Sequence, residues 1–195
     1  MQIQSIAQNG LAYCKNIYDI ERYRQLREIA AEMLSYKTDI PADKVQCLFC
    51  NEEGYQTPKI DTRAAIFQQD KILLVQETDR LWSLPGGWVD VLETLHSNTI
   101  KEVKEEAGLE VEPQFIVAIH AQHKRNFPPF AHPVLKTFVQ CRLIGGEFQP
   151  NSETLGSAYF ALDQLPPMNH EKNTPQQVEL CFQAHNSKHW VTQFD

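Results

Sequence analysis

Up to about Thr57 the apolar residues recur every three to four positions; from Lys59 that period gives way to short runs rich in Ile, Leu and Val. In the first stretch Ile20, Tyr23, Leu26, Ala30 and Met33 step by three and four, which predicts an amphipathic helix from about Asp19 to Tyr36. Gln4 to Cys14 is weakly periodic, Thr38-Asp-Ile-Pro-Ala-Asp43 breaks the helical run, a short packed segment spans Lys44 to Phe49, and Glu53-Gly-Tyr-Gln-Thr-Pro58 reads as a linker. Beyond it, Thr62–Gln69 and Lys71–Glu77 read as strands around a Gln69-Asp70 turn, and Leu81–Leu84 as a short strand ending at Pro85-Gly86-Gly87. A helix follows over Leu95–Ala107, with Gly108 as its C-terminal cap. Further strands are predicted at about Gln114–Gln122, Leu135–Ile144 and Ala158–Ala161. A last helix opens at Thr174-Pro175, where Gln177 completes a Thr-x-x-Gln capping box, and runs to about His185. Strands and helices interleaved this irregularly predict an α+β fold, a mixed sheet covered by helices, rather than a doubly wound parallel one. The expected division is a helical module over 1–57 and a mixed domain over 58–195.

The most informative element is the helix after the paired glycines. At about 100° per residue, Glu102, Glu105 and Glu106 fall within an arc of roughly 100°. Ile100, Val103 and Ala107 take the opposite side, at the spacing of a buried stripe. One side packs while the other concentrates carboxylates, which is how hard divalent cations are held. A solvated, Glu-rich surface helix is the bland alternative, and like-charge repulsion of about 0.2–0.5 kcal/mol per pair does not exclude it. Spacing argues against it. Six fixed Gly and Glu positions recur by chance on the order of once in 10⁷ starts.

Composition narrows the field. The chain has 195 residues, 42% of them hydrophobic, enough for a real core and against disorder. A net charge of -7 leaves no basic stripe for nucleic acid, so no DNA partner is expected. Residues 1–57 carry six basic and eight acidic side chains, which opposes a DNA-reading helix there and leaves dimerisation or substrate covering. No run approaches a membrane span and the first residues lack a basic leader, so a non-secreted, cytoplasmic protein is expected. Five widely spread cysteines do not suggest a disulfide framework; Cys47-Leu-Phe-Cys50 has no second ligand pair for zinc, and reads as buried, reduced thiols flanking Leu48 and Phe49.

Gly87, Glu93, Glu102, Val103, Glu105, Glu106, Gly108 and Leu109 fill the pattern G-x5-E-x7-R-E-U-x-E-E-x-G-U, and the stretch resembles the Nudix box. The resemblance implies an α/β/α sandwich and metal-dependent pyrophosphate hydrolysis. Glu102, Glu105 and Glu106, assisted by the Gly86 carbonyl, would hold Mg²⁺ or Mn²⁺. Lys101 departs from the pattern, standing where the family has an arginine that pairs with the upstream glutamate, here Glu93. Lysine keeps the charge and loses the two-pronged contact, which bears on loop rigidity and turnover more than on metal binding. Glu153, in the loop Pro150-Asn-Ser-Glu-Thr, is the candidate general base, with Glu93 the alternative. For substrate binding, Lys124 or Arg125 would meet a phosphate and Phe127 or Phe130 a nucleobase, in a stretch that reads equally well as an exposed hairpin loop. Arg63 is a further phosphate candidate.

Tyr13–Tyr23, Gly54–Asp61, Leu84–Asp90, Gly145-Gly-Glu147, Glu153-Thr154, Leu165-Pro-Pro167 and Asn173–Gln177 are similar to one bacterial Nudix subgroup. That subgroup has a helical N-terminal domain, tends to form homodimers, and cleaves nucleoside diphosphates linked to a second moiety X: ADP-ribose, CDP-choline or UDP-sugars. The resemblance implies conversion of NDP-X, with ADP-ribose first, into a nucleoside monophosphate and phosphoryl-X. Two rival readings stand beside it: a non-catalytic nucleotide-sugar sensor of the same fold, and a hydrolase of dNTPs or RNA ends.

Overall fold

The computed structural model describes residues 2–38, 40–50, 52–128, 130 and 132–195, and the chain separates into two compact units, Met1–Pro58 and Lys59–Asp195. The first is helical: α1 (Gln2–Tyr13), α2 (Ile17–Thr38) and α3 (Ala42–Phe49). Ala30 and Ala31 on α2 are buried, with Val45 of α3 and Leu34 packed alongside. The expected stripe on α2 holds at Ile20, Tyr23, Leu26 and Ala30 but not at Met33, which is 56% exposed, because Leu34 takes the inward position at the next turn. Cys47 is exposed and Cys50 half-buried, which corrects the expectation of two buried thiols: Cys47 lies on the outer side of α3, and Cys50 follows its last turn. The surroundings of the Leu48 and Phe49 side chains, and residues Asp39 and Asn51 of the expected breaks, lie outside the described residues.

The second unit is a mixed sheet with a helix on each face. Its strands are β1 (Lys59–Gln68), β2 (Lys71–Glu77), β3 (Trp82–Ser83), β4 (Leu109–Ala121), β5 (Val134–Gly146), β6 (Thr154–Phe160) and β7 (Gln193–Phe194), in the order β3-β2-β1-β5-β4-β7, with β6 pairing β2. β1 runs parallel to β5; β4 and β5 pair antiparallel over their whole length. Period-two alternation sends neighbouring residues to opposite faces. Ala64, Ile66, Leu73, Val75 and Val139 meet Val103 and Ala107 of α4 (Leu95–Ala107) on one side. Ala65, Ile72, Leu74 and Phe138 meet Val178, Cys181 and Phe182 of α6 (Pro175–Asn186) on the other. This is the expected α/β/α sandwich.

Three elements differ from expectation. β4 starts at Leu109, directly after Gly108, because Leu109 and Val111 point inward while Glu110 and Glu112 face solvent; Pro113 hides this alternation, and the register shifts there. β6 starts at Thr154, four residues early, and a one-turn helix, α5 (Gln122–Arg125), replaces the expected open hairpin loop.

Candidate active site

A cavity of about 370 Å³ lies in the second unit, and three segments supply the glycine turn, the α4 carboxylates and Glu153 that line it, alongside Asp61, Arg63, Phe130 and Lys172. The first is the stretch after β3, which lies along β1: the Thr62 N–H donates to the Gly87 carbonyl at 2.9 Å, Ala64 to Pro85 at 2.8 Å, and Val89 to Ile60 at 2.9 Å. Gly86 makes this approach possible. Its φ is +144°, and a Cβ there would fall 1.9 Å from the Thr62 oxygen, in backbone with no room to move.

The second is α4, held at both ends. Thr94 and Ser97 cap it reciprocally at the start, and Gly108 closes it in the left-handed region at φ +67°. Buried Asn98 donates to Thr62 Oγ1 at 2.9 Å, tying the helix to β1. That register sets the carboxylates over the glycine turn. Glu106, 6% exposed, accepts the Gly86 N–H at 2.7 Å. The half-buried Glu102 carboxylate lies so close to Gly87 that a Cβ there would come within 2.6 Å of its Oε2, while Glu105 faces outward.

The third segment is the loop before β6. Asn151 donates from Nδ2 to the Glu105 carbonyl at 2.8 Å, and Thr154 from its hydroxyl to the Glu106 carbonyl at 2.7 Å. Asn151 Oδ1 also accepts the Glu153 N–H at 2.9 Å. The loop is thereby laced to the end of α4, and Glu153 lines the cavity.

Six carboxylates line this space (Asp61, Asp90, Glu102, Glu105, Glu106 and Glu153) against three cations, Arg63, Lys101 and Lys172. Burial pushes Glu106 up to about 7, against the opposing pull of Arg63, the Gly86 N–H and Lys172. Burial also raises Glu102, with Glu105 and Glu153 adding to it and Lys101 opposing. Among the described residues no three His, Cys, Asp or Glu side chains already converge as a closed metal cage. The donor set is nonetheless all hard oxygen with an excess of negative charge. That suits Mg²⁺ or Mn²⁺ in an open site, since Mg²⁺ commonly uses one or two protein carboxylates and keeps several waters. Glu102, Glu105 and Glu106 are the residues that fit such an ion.

Of the sequence-derived candidates, Gly86, Glu102, Glu105, Glu106, Lys101, Glu153, Arg63 and Phe130 come together at the cavity. Arg63 is 3% exposed: Nε and Nη2 bond the two Asp61 carboxylate oxygens at 3.0 and 2.6 Å, and Nη1 donates to the Leu84 carbonyl at 3.2 Å. The expected Lys101–Glu93 pair is corrected. Lys101 Nζ lies 2.6 Å from Asp90 Oδ2, because Asp90, not Glu93, projects toward α4, and Glu93 does not line the cavity. Lys124, Arg125 and Phe127 are not brought to it either. α5 turns this segment aside: Arg125 is anchored on Asp195 at 3.0 Å, Lys124 is exposed and Phe127 is 78% exposed.

Several residues that line the cavity or support its lining were not anticipated. Trp88 is 46% exposed, with its ring centroid 5.7 Å from that of Phe130. Gln122 holds Phe130 in place, accepting its N–H at 3.0 Å while donating to the Pro128 carbonyl at 2.9 Å. Lys136, fully buried, lies 3.4 Å from Asp61 Oδ2 and 5.6 Å from the Phe130 ring centre. Asp61 had a usable signal, since it shares a strand face with Arg63 two residues on. Lys172 had none.

Residues 57–181 match the NUDIX domain, and residues 1–49 match a UDP-X-like N-terminal oligomerisation domain. A Bacillus subtilis protein named "Putative ADP-ribose pyrophosphatase YjhB" is 40% identical over 182 residues, 93% of this chain and 88% of that protein. The crystal structure of an ADP-ribose pyrophosphatase from Streptococcus suis is 61% identical, with a TM-score of 0.67, covering 71% of this chain and 100% of its own. A solved UDP-X diphosphatase, 30% identical with a TM-score of 0.67, covers 98% of this chain and 94% of its own.

Proposed function

We propose that this chain, which belongs to the Nudix hydrolase family, cleaves the pyrophosphate bond of a nucleoside diphosphate linked to a second moiety X, with ADP-ribose the leading substrate. The products are a nucleoside monophosphate and phosphoryl-X. The observation that carries this reading is the joint placement, in one cavity, of three α4 carboxylates, Glu153, a cationic side chain and an aromatic pair. A lone acidic helix face does not need the last two.

Hydrolases of this family generally need divalent metal ions, and a bound cation neutralises phosphate charge and polarises the bond to be broken. Glu102, Glu105 and Glu106 would hold it, with the Gly86 carbonyl assisting. Glu153 takes the proton from the attacking water, a role that suits it better than Glu93, which lies off the cavity. Trp88 and Phe130 supply apolar faces for a base to stack on. Exposed Tyr13, Ile17, Tyr18, Met33 and Tyr36 on the helical unit, at 56–90%, support a homodimer built through that unit. No described helix is long and apolar enough to cross a membrane, and the five free cysteines suit a reducing, cytoplasmic setting.

The test is a panel of ADP-ribose, CDP-choline, UDP-sugars, dNTPs and 5′-capped RNA, with and without Mg²⁺, products identified by mass. Metal-dependent AMP and ribose 5-phosphate from ADP-ribose are expected. Pyrophosphate from dNTPs, faster RNA-end cleavage, or tight ADP-ribose binding without product each refutes the proposal.

A further inference from the structure

We infer that Lys172 is the side chain that binds a non-bridging phosphate oxygen of the substrate, held ready for that task by Glu77 and Ser83. The inference deepens the NDP-X reading and rests on it.

Three cations line the cavity, and two are committed elsewhere. Arg63 turns both edges of its guanidinium to Asp61 and the Leu84 carbonyl, with its side chain only 4% exposed. Lys101 sits among three carboxylates, 2.6 Å from Asp90, 3.7 Å from Glu102 and 3.9 Å from Glu105. Lys172 differs. Its one ion pair among the described residues is with Glu77, at 2.6 Å, and its side chain is 29% exposed. An ammonium has three N–H donors. Glu77 meets the ammonium from one side only, which leaves N–H donors for a ligand in the cavity.

The support behind Lys172 is firm. Glu77, at the end of β2, uses its other oxygen to accept the hydroxyl of fully buried Ser83 at 2.6 Å. The next residue, Asn173, is fully buried and accepts the Leu84 N–H at 2.9 Å. The Lys172 N–H itself donates to the Asn169 carbonyl at 3.1 Å. A loop with no regular structure thus delivers its lysine to a fixed place. Topology places it apart from the aromatic pair: Glu77 and Ser83 belong to β2 and β3, whereas Trp88 bridges Asp61 on β1 and Lys136 lies on β5. A nucleotide lying with its base on Trp88 and Phe130 therefore directs its diphosphate toward β2 and β3, against which Lys172 is held. Phosphate charge there meets an excess of carboxylates, and a cation with free donors is what the site needs.

A merely structural Lys172–Glu77 pair would change melting temperature and leave substrate affinity alone. Steady-state kinetics of the full-length protein on ADP-ribose with Mg²⁺ separate the two. Losing a charge-assisted hydrogen bond corresponds to a rise in KM of about 10- to 100-fold for Lys172→Met, with kcat changed less. Lys172→Arg recovers most of it, and Lys71→Met, at the exposed first residue of β2, stays at the wild-type value. Glu77→Gln keeps the Ser83 contact but loosens Lys172, and raises KM by a smaller factor. Affinity for the non-hydrolysable α,β-methylene analogue of ADP-ribose falls in parallel, while melting temperatures stay close to wild type. If Lys172→Met retains wild-type KM and analogue affinity in an otherwise active enzyme, the Lys172 assignment alone is overturned. A wild type that turns over no NDP-X compound overturns the reading and the inference together.

Discussion

Replacing Lys136 with methionine is expected to make this protein more stable and a poorer catalyst. The ammonium is fully buried, and among the described residues its one hydrogen bond is to Asp61, at 3.4 Å. Asp61 does not depend on it, being already bonded twice by Arg63. Burial pulls Lys136 down to about 8, Asp61 opposing and Arg63 adding to the pull. The native pKa is thus depressed below the unfolded value of 10.5. Between the two, the unfolded chain binds more protons than the native one, so stability rises with pH across that window and is lost as pH falls through about 8. The gap of some 2.5 units corresponds to about 3 kcal/mol carried as a penalty at pH 7, an upper figure because relaxation around the charge reduces it. Methionine keeps the unbranched stem and removes the charge, leaving the Asp61–Arg63 pair neutral. Urea unfolding in EDTA at pH 7 and pH 9.5 is the assay. Lys136→Met should exceed wild type by about 1–3 kcal/mol at pH 7, and the difference should shrink at pH 9.5. KM for ADP-ribose should rise, because the ammonium beneath Phe130 and beside Asp61 is gone. A variant less stable than wild type at pH 7, or a difference that ignores pH, refutes the argument.

Two further outcomes follow from α4 and the glycine turn. Glu106 stands at about 7, above its ordinary 4.5, so its contribution to stability is complete below pH 4.5 and lost as pH rises through 7. In EDTA, wild type should lose up to about 3 kcal/mol relative to Glu106→Gln between pH 4.5 and 8; Mg²⁺ should restore it in wild type only, and parallel urea curves would contradict this. Gly87→Ala puts a Cβ 2.6 Å from Glu102 Oε2, the movable end of a side chain, so the melting temperature should hardly change while kcat falls by about tenfold or more; wild-type kcat would show that the position of Glu102 does not matter.

Local chemistry made much of this fold legible. α4 came out with both ends in place, because Thr94 starts it, Gly108 is forced left-handed at its end, and the apolar stripe Ile100, Val103, Ala107 has the helical period. The last helix was equally plain, since Thr174, Pro175 and Gln177 are a complete start signal. β4 was misjudged at its beginning because Pro113 argues against a strand, whereas the sheet absorbs it at a shift of register. Of the site, whatever sits on one helix or one turn was readable: the three glutamates, the glycines, and Lys101.

The rest depends on contacts between residues far apart in the chain, and the failures share that cause. Lys101 was matched to Glu93 by analogy of position, yet the side chain that reaches it is Asp90. Lys124 and Arg125 satisfied every local criterion for a phosphate contact, being cationic, near aromatics and in an expected loop. What excluded Arg125 was Asp195, seventy residues later, together with a one-turn helix that no period announces. Lys172 had no such criterion in its favour, and it lies on the cavity because Asn173 is fastened to Leu84 across eighty-nine positions. On the proposed function, the site therefore divides by origin. The carboxylates proposed to hold the metal are written into one amphipathic helix, because they must share a rigid face to act together. The proposed general base and substrate contacts are gathered from loops, each aimed by an amide: buried Gln122 for Phe130, exposed Asn151 for Glu153 and buried Asn173 beside Lys172. Substitutions on the helix or at Asn151 should accordingly lower turnover whatever the substrate, while those at Gln122 and Asn173 should change which substrates are accepted.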